Sequence, residues 1–431
     1  MLTVAIKPIA LTFRLLWRFW LQLLVLLLAG VVVGDLLLQL AAHTAYFDHM
    51  AGLAVLTLVA LAQLVVTVAM FQVLRPGLPA VRAAQARAAG TAEAPEEDQP
   101  RTARFARLVS VALLPFFAYY AAWGFLGDTV RRYTRLALEI APFGEGQNVL
   151  DVLDSRWLVV SVAISWLIRR FAKAMQKKDG ARSFWQIVVV VCETNWIFVG
   201  LYVISRWKGT ALEWIMDRRI FSVLQAAADG VAGPVAPAAA APMTPVEMTA
   251  ASPTATLTSL FFYMLVPLIW LVMTALIYGY DVRDQEGLLR VHQRIERFGA
   301  RYRAVPKFLR DFVEHFIGGY RSRYLPIANG VRLTLGSGTM LVVVLIVGYR
   351  LIGWGAAWAW LGATRLVGPH DFDTWQVAAH GLTLLFGSPF QDSSTGILVE
   401  PLRICFLAAM LETAFSLPAR TPDAEPAPAA S

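Results

Sequence analysis

The sequence predicts an all-α fold, a polytopic helical transmembrane bundle of about eight spans carrying a cytoplasmic amphipathic helical hairpin. Three observations support this. The 431 residues are 57% apolar and 16% charged, with a mean hydropathy of +0.56, far from the composition of a soluble domain. Successive apolar runs approach or exceed the ~20 residues a helix needs to cross a ~30 Å hydrocarbon core. None of them alternates with the period of two that a barrel strand requires.

Taken in order, the candidate spans are Phe19 to Ala41, Ala51 to Leu74, Leu108 to Leu126, Trp157 to Phe171, Trp185 to Ser205, Leu260 to Tyr280, Thr339 to Leu361 and Gly396 to Leu417. The first is too long for a signal-peptide core, and no small-residue cleavage site follows it, so it reads as a retained span. The fourth has a short apolar core, and the distribution of charge decides whether it crosses. With eight spans and both termini cytoplasmic, 27 Lys and Arg fall on the inner segments and 8 on the outer loops. Without the fourth crossing, the basic stretches after Arg169 and after Arg283 cannot both face inward, against the positive-inside bias. It therefore crosses in this reading, with Arg169 and Arg170 snorkelling to the inner headgroups. The excess of arginine over lysine and the abundance of alanine accord with a bacterial inner (plasma) membrane, with the chain passing through it several times.

The resulting organisation is an N-terminal transmembrane hairpin (1–74), a flexible cytoplasmic linker (75–107) and spans three to five (108–206). An external loop with an Ala/Pro-rich tract (207–259) leads to span six (260–280). A basic cytoplasmic segment (281–338), spans seven and eight with their external loop (339–417) and a disordered tail (418–431) complete the chain. Within 281–338, Leu288, Val291, Ile295, Phe298 and Tyr302 make an apolar stripe at helical spacing. Arg290, Arg294, Arg297 and Arg301 form a basic stripe on nearly the opposite side. Pro306 suits the first turn of a second helix. The expected partners are the lipid bilayer, anionic lipid headgroups and another membrane or cytoplasmic protein. Nucleic acid is not expected, because topology explains most of the +8 net charge and no nucleic-acid-binding motif accompanies the arginines.

Ionisable groups at membrane depth are costly unless paired or wetted, so they mark candidate sites. Glu193 and Asn195 lie in the fifth span, Arg350 in the seventh, and Arg403 and Glu412 in the eighth together with Glu400. A Glu193–Arg350 bridge would staple spans five and seven, or serve as a proton or cation site with a movable counter-charge. Gly30 and Gly34, just before Asp35, form a small-xxx-small face for close helix approach. Outside the membrane, His43, His49, His370 and His380 share one side as weak metal candidates, but their spacing matches no ligand motif. The apolar stretch Trp375 to Phe390 is too short to cross and is read as lying flat on the outer surface, with re-entry as the other arrangement.

No cofactor is expected. Gly-x-Ser-x-Gly, His-Glu-x-x-His and the phosphate-binding loop are all absent. Three classes remain, in order: a non-catalytic subunit or scaffold of a cell-envelope membrane complex, a secondary transporter or channel using Glu193 and Arg350, and an intramembrane enzyme.

Overall fold

A computed structural model describes residues 2–83, 101–122, 125–140, 157–178, 184–199, 253–278, 339–387 and 396–416. The 281–338 hairpin with its Arg290, Arg294, Arg297 and Arg301 stripe, most of the Ala/Pro tract and the C-terminal tail lie outside the described residues. Every regular element described is a helix. We number them α1 (Leu2–Phe47), α2 (His49–Leu74), α3 (Arg101–Ala122), α4 (Phe125–Ile140), α5 (Trp157–Lys178), α6 (Phe184–Val199), α7 (Pro253–Ile277), α8 (Thr339–Val367), α9 (Phe372–Phe386) and α10 (Val399–Ser416). Each candidate span read from the sequence overlaps at least one of these helices, and Leu108 to Leu126 reaches from α3 into α4. Three stretches, Ile6–Phe47, Ala51–Gly77 and Met340–Val367, are long and apolar enough by themselves to cross a membrane, while Phe184–Val199 and Tyr263–Ile277 are shorter apolar helices.

α1 runs for 46 residues, on the order of 70 Å, well past both ends of its expected span. Helical patterning explains the extension on the N-terminal side. Leu15 and Phe19 are buried, whereas Lys7, Arg14 and Arg18 share the exposed side, so the charges never interrupt the packed face. α1 and α2 pair antiparallel. Gly30 lets Val66 approach so closely that a methyl group there would sit 2.7 Å from Val66 Cγ2, but Gly34 meets nothing. Only half of the small-xxx-small face is therefore used.

The hub of the bundle is α10, on which α1, α2, α7 and α8 pack. Its run Ile404 to Ala414 is buried throughout, with alanines at 408 and 409 beside large apolar side chains. Lipid tails are as oily as leucine, so in a bilayer such a helix gains from close packing and polar ties more than from leaving water. α4 was not foreseen. It turns Val130 and Tyr133 onto the α1–α2 turn and leaves Arg131, Arg132 and Arg135 exposed. Burial pushes the Tyr133 phenol up to about 12.

α9 packs along α8, and its relation to α10 departs from a separate piece lying on the surface. The Ile397 amide donates to Leu384 O at 2.9 Å and the Leu398 amide to Leu385 O at 3.0 Å. In an uninterrupted helix those carbonyls would serve residues 388 and 389. The ladder is thus taken up again by residues 397 and 398, which makes α9 and α10 two parts of one discontinuous helix. Gly387 adopts a φ of +82°, and at Gly396 any Cβ would collide with the Phe386 and Gly387 backbone. At the other end of α9, Asp371 caps the first turn. The Thr374 hydroxyl, then the Thr374 amide, hold the Asp371 carboxyl below its usual value.

Gly396→Ala is accordingly expected to destabilise the protein by about 1–3 kcal/mol, since the collision is with backbone and not with a flexible side chain. Thermal unfolding in detergent, compared with Gly355→Ala, which meets nothing within 4 Å, measures it.

Candidate functional site

The principal polar cluster forms where α3, α5 and α6 meet. Glu193 is almost completely buried, at 2% exposure. Its Oε1 accepts from Arg169 Nη2 at 2.7 Å and Nε at 3.0 Å, its Oε2 accepts from Ser110 Oγ at 2.8 Å, and Lys173 Nζ stands 3.9 Å away. Asn195 Nδ2 donates to Ser165 Oγ at 2.7 Å and to Ser161 Oγ at 3.4 Å. The antiparallel run of α5 and α6 brings these positions face to face.

Two expectations are corrected here. Arg169 does not snorkel to headgroups. It is buried and turned inward onto Glu193, while its neighbour Arg170 stays exposed over the Trp166 ring. Nor do Glu193 and Arg350 neutralise one another, because each is engaged elsewhere. A carboxylate this deeply buried needs a base within reach, and α5 supplies one locally.

Arg350 projects from α8 to the edge of the α7–α8 contact. Its Nε donates to Tyr263 O at 3.1 Å, its Nη2 donates to the same carbonyl, and its guanidinium carbon lies 3.4 Å from the centroid of the Tyr263 ring. The choice of carbonyl has a cause. Pro267 sits inside α7, has no N–H, and so frees the carbonyl four residues before it, which is Tyr263. Arg350 fills the vacant acceptor and rests its charge on the aromatic face.

α10 contributes the remaining candidates separately. Arg403 Nη1 lies 3.7 Å from Glu400 Oε2 one turn earlier and its guanidinium is 5.6 Å from the Tyr349 ring. Glu412 accepts from the amides of Ala80 at 2.6 Å and Val81 at 2.9 Å. Those are the open N–H groups of a helical segment at 79–83 that starts with Pro79, so a side chain from a distant helix does the work of an N-cap. The beginning of the expected 75–107 linker is therefore folded against α10. Beside it, Tyr278 Oη donates to Phe71 O at 2.8 Å and ties α7 to α2.

Among the described side chains the candidate histidines are not brought together. His43 Nδ1 pairs with its own helix at Gln39 O, 3.0 Å away, and exposed His370 lies 3.4 Å from Gly368 O. His380 is exposed on α9, and His49 begins α2. Among the described residues no group of three or more His, Cys, Asp or Glu is placed to hold a metal ion.

If Arg350 serves the carbonyl that Pro267 frees, the two are coupled. Arg350→Met is expected to cost about 1–2 kcal/mol less in a Pro267→Ala background than in the native chain, because the backbone amide restored by that substitution takes over Tyr263 O. A double-mutant cycle read by thermal unfolding measures the coupling.

Compared with protein-family models, with curated proteins and with solved structures, the chain matches none, and the arrangement of its own side chains is what a functional reading rests on.

Proposed function

We propose that this chain is a non-catalytic subunit or scaffold of a cell-envelope membrane complex. In this reading it crosses a bacterial inner membrane about eight times, with both termini cytoplasmic. The observation that supports the reading is the use to which its intramembrane charges are put. Glu193 ties α5 to α6 and α3, Arg350 ties α8 to α7, and Glu412 ties α10 to the segment after α2. They are dispersed over the bundle and engaged as structural fasteners, whereas a reaction needs an acid, a base and a substrate position that converge. Its partners are the bilayer, anionic headgroups and a further membrane or cytoplasmic protein met by the basic 281–338 segment and the external loops.

A second reading, transport, is favoured by one observation. The α9–α10 helix is discontinuous, and buried Glu400 occupies the first turn after the break. Broken helices place ion and substrate sites in many transporters.

Affinity purification of the tagged chain from its native membrane in mild detergent separates the two. The scaffold reading expects a stoichiometric protein partner, and expects Glu400→Gln to leave that partner bound. Isolation of the chain alone across several detergents, with solute flux in proteoliposomes that Glu400→Gln abolishes, would overturn it in favour of transport.

A further inference from the structure

Glu193, Arg350, Arg403 and Glu412 each meet a partner within the chain. Asp35 on α1 is different: it is exposed and, among the described residues, makes neither a hydrogen bond nor an ion pair. Gln39, one turn later, is exposed as well. Its carbonyl takes His43 Nδ1, but its side-chain amide is also without a partner among the described residues. Asp35 stands 17 residues after Arg18, the last base before it, and 13 before Asp48 at the α1–α2 turn, roughly 25 Å and 20 Å along the helix. With a hydrocarbon core of ~30 Å between those two charges, its place is close to the midplane.

The two polar side chains end a seam. Leu21, Val25, Leu28, Val32, Asp35 and Gln39 follow one another at spacings of 4, 3, 4, 3 and 4 residues, and all of them are exposed. That is the repeat by which one helix packs along another. The packed side of α1 is a different one, which buries Leu15, Phe19, Leu23 and Leu27. Lipid satisfies the four apolar positions of the seam, so they identify nothing by themselves. Lipid does not satisfy Asp35, because an acid near the middle of a bilayer is costly and such residues face protein or water. Charge decides what kind of protein. A second copy of the chain packed on the same seam would bring Asp35 against Asp35, two like charges in a medium of low dielectric. A base on a neighbouring helix neutralises it, and the Gln39 amide one turn on offers that helix both a donor and an acceptor.

We infer that the Leu21–Gln39 seam of α1 docks one transmembrane helix of a partner subunit, which sets a lysine or arginine against Asp35. The inference rests on the subunit reading above and names the surface and the chemistry by which the partner is held. The subunit reading does not depend on it, since the 281–338 segment and the external loops offer other contacts. Because Asp35 has no partner among the described residues, Asp35→Leu is expected to leave the thermal unfolding midpoint of the isolated chain in detergent unchanged or to raise it, while the partner is lost.

Photocrosslinking in the native membrane tests it. The full chain carries p-benzoylphenylalanine at Val32 on the seam or, as a control, at Val343, an exposed apolar position of α8. Crosslinked peptides are identified by mass spectrometry after irradiation. Position 32 is expected to yield an adduct with a transmembrane segment of another protein at least tenfold above position 343, and that segment is expected to carry a Lys or Arg within about one turn of the level of Asp35. Asp35→Leu is expected to lower the yield at least tenfold. Asp35→Lys is expected to abolish it, and the reverse exchange of the partner's base for Asp to restore it. Adducts at position 32 with lipid only, with a second copy or within the same chain overturn the docking seam. So do a partner segment without a base, a yield no greater than at position 343, or one that Asp35→Leu leaves unchanged. If a stoichiometric partner still co-purifies, the subunit reading survives that failure; if none does, both fall. Asp35→Leu, which adds no charge, keeps the test decisive if Asp35→Lys fails to insert.

Discussion

A helix that lies in hydrocarbon must find partners for its polar groups within its own chain. Hydrocarbon offers no donor, no acceptor and no counter-ion, so each charge or free carbonyl at membrane depth selects a neighbour or is driven to the surface. Glu193 obtains a two-nitrogen contact from Arg169 and a hydroxyl from Ser110. Tyr263 O, orphaned by Pro267, obtains Arg350. The amides of Ala80 and Val81 obtain Glu412. Each arrangement joins separate elements, α6 to its neighbour α5 and to distant α3, α8 to α7, and α10 to the segment after α2, in a bundle whose oily faces alone discriminate weakly.

The same constraint explains why α10 lies at the centre. A helix carrying Glu400, Arg403 and Glu412 within 18 residues is poorly suited to lipid contact, whereas α1 and α8 can show long apolar faces. Surrounded by α1, α2, α7 and α8, α10 pairs Glu400 with its own Arg403, brings Arg403 to the Tyr349 ring of α8 and sets Glu412 on a helix start. The break between α9 and α10 is tolerated for a related reason. The returning chain re-supplies Leu384 O and Leu385 O with donors, and only glycine at 396 allows it to come close enough.

Much of this was legible in the residues. Hydropathy located the helices, and the cost of burying charge singled out Glu193, Arg350, Arg403 and Glu412. Their partners were harder to read. Arg169 looked like an interfacial base because it adjoins Arg170, yet the short 179–183 connection implies an antiparallel hairpin in which Arg169 and Glu193 stand opposite. The pairing of Arg350 could have been found by asking which carbonyl Pro267 frees. α4 was hidden because its apolar residues are too few for a hydropathy window, although Val130 and Tyr133 alternate with Arg131, Arg132 and Arg135 at helical spacing. The reach of α1 beyond its span was hidden for the opposite reason, since Lys7, Arg14 and Arg18 ended the apolar run without ending the helix.

Buried charges here are held by named partners, and the Arg169–Glu193 pair is the most deeply buried case. Thermal stability of Arg169→Met, Glu193→Met and the double variant, measured in the same lipid, tests it directly. Either single change is expected to cost about 3–5 kcal/mol and the double change clearly less than the two together, because the second substitution removes the charge that the first left stranded. Strictly additive losses would contradict it.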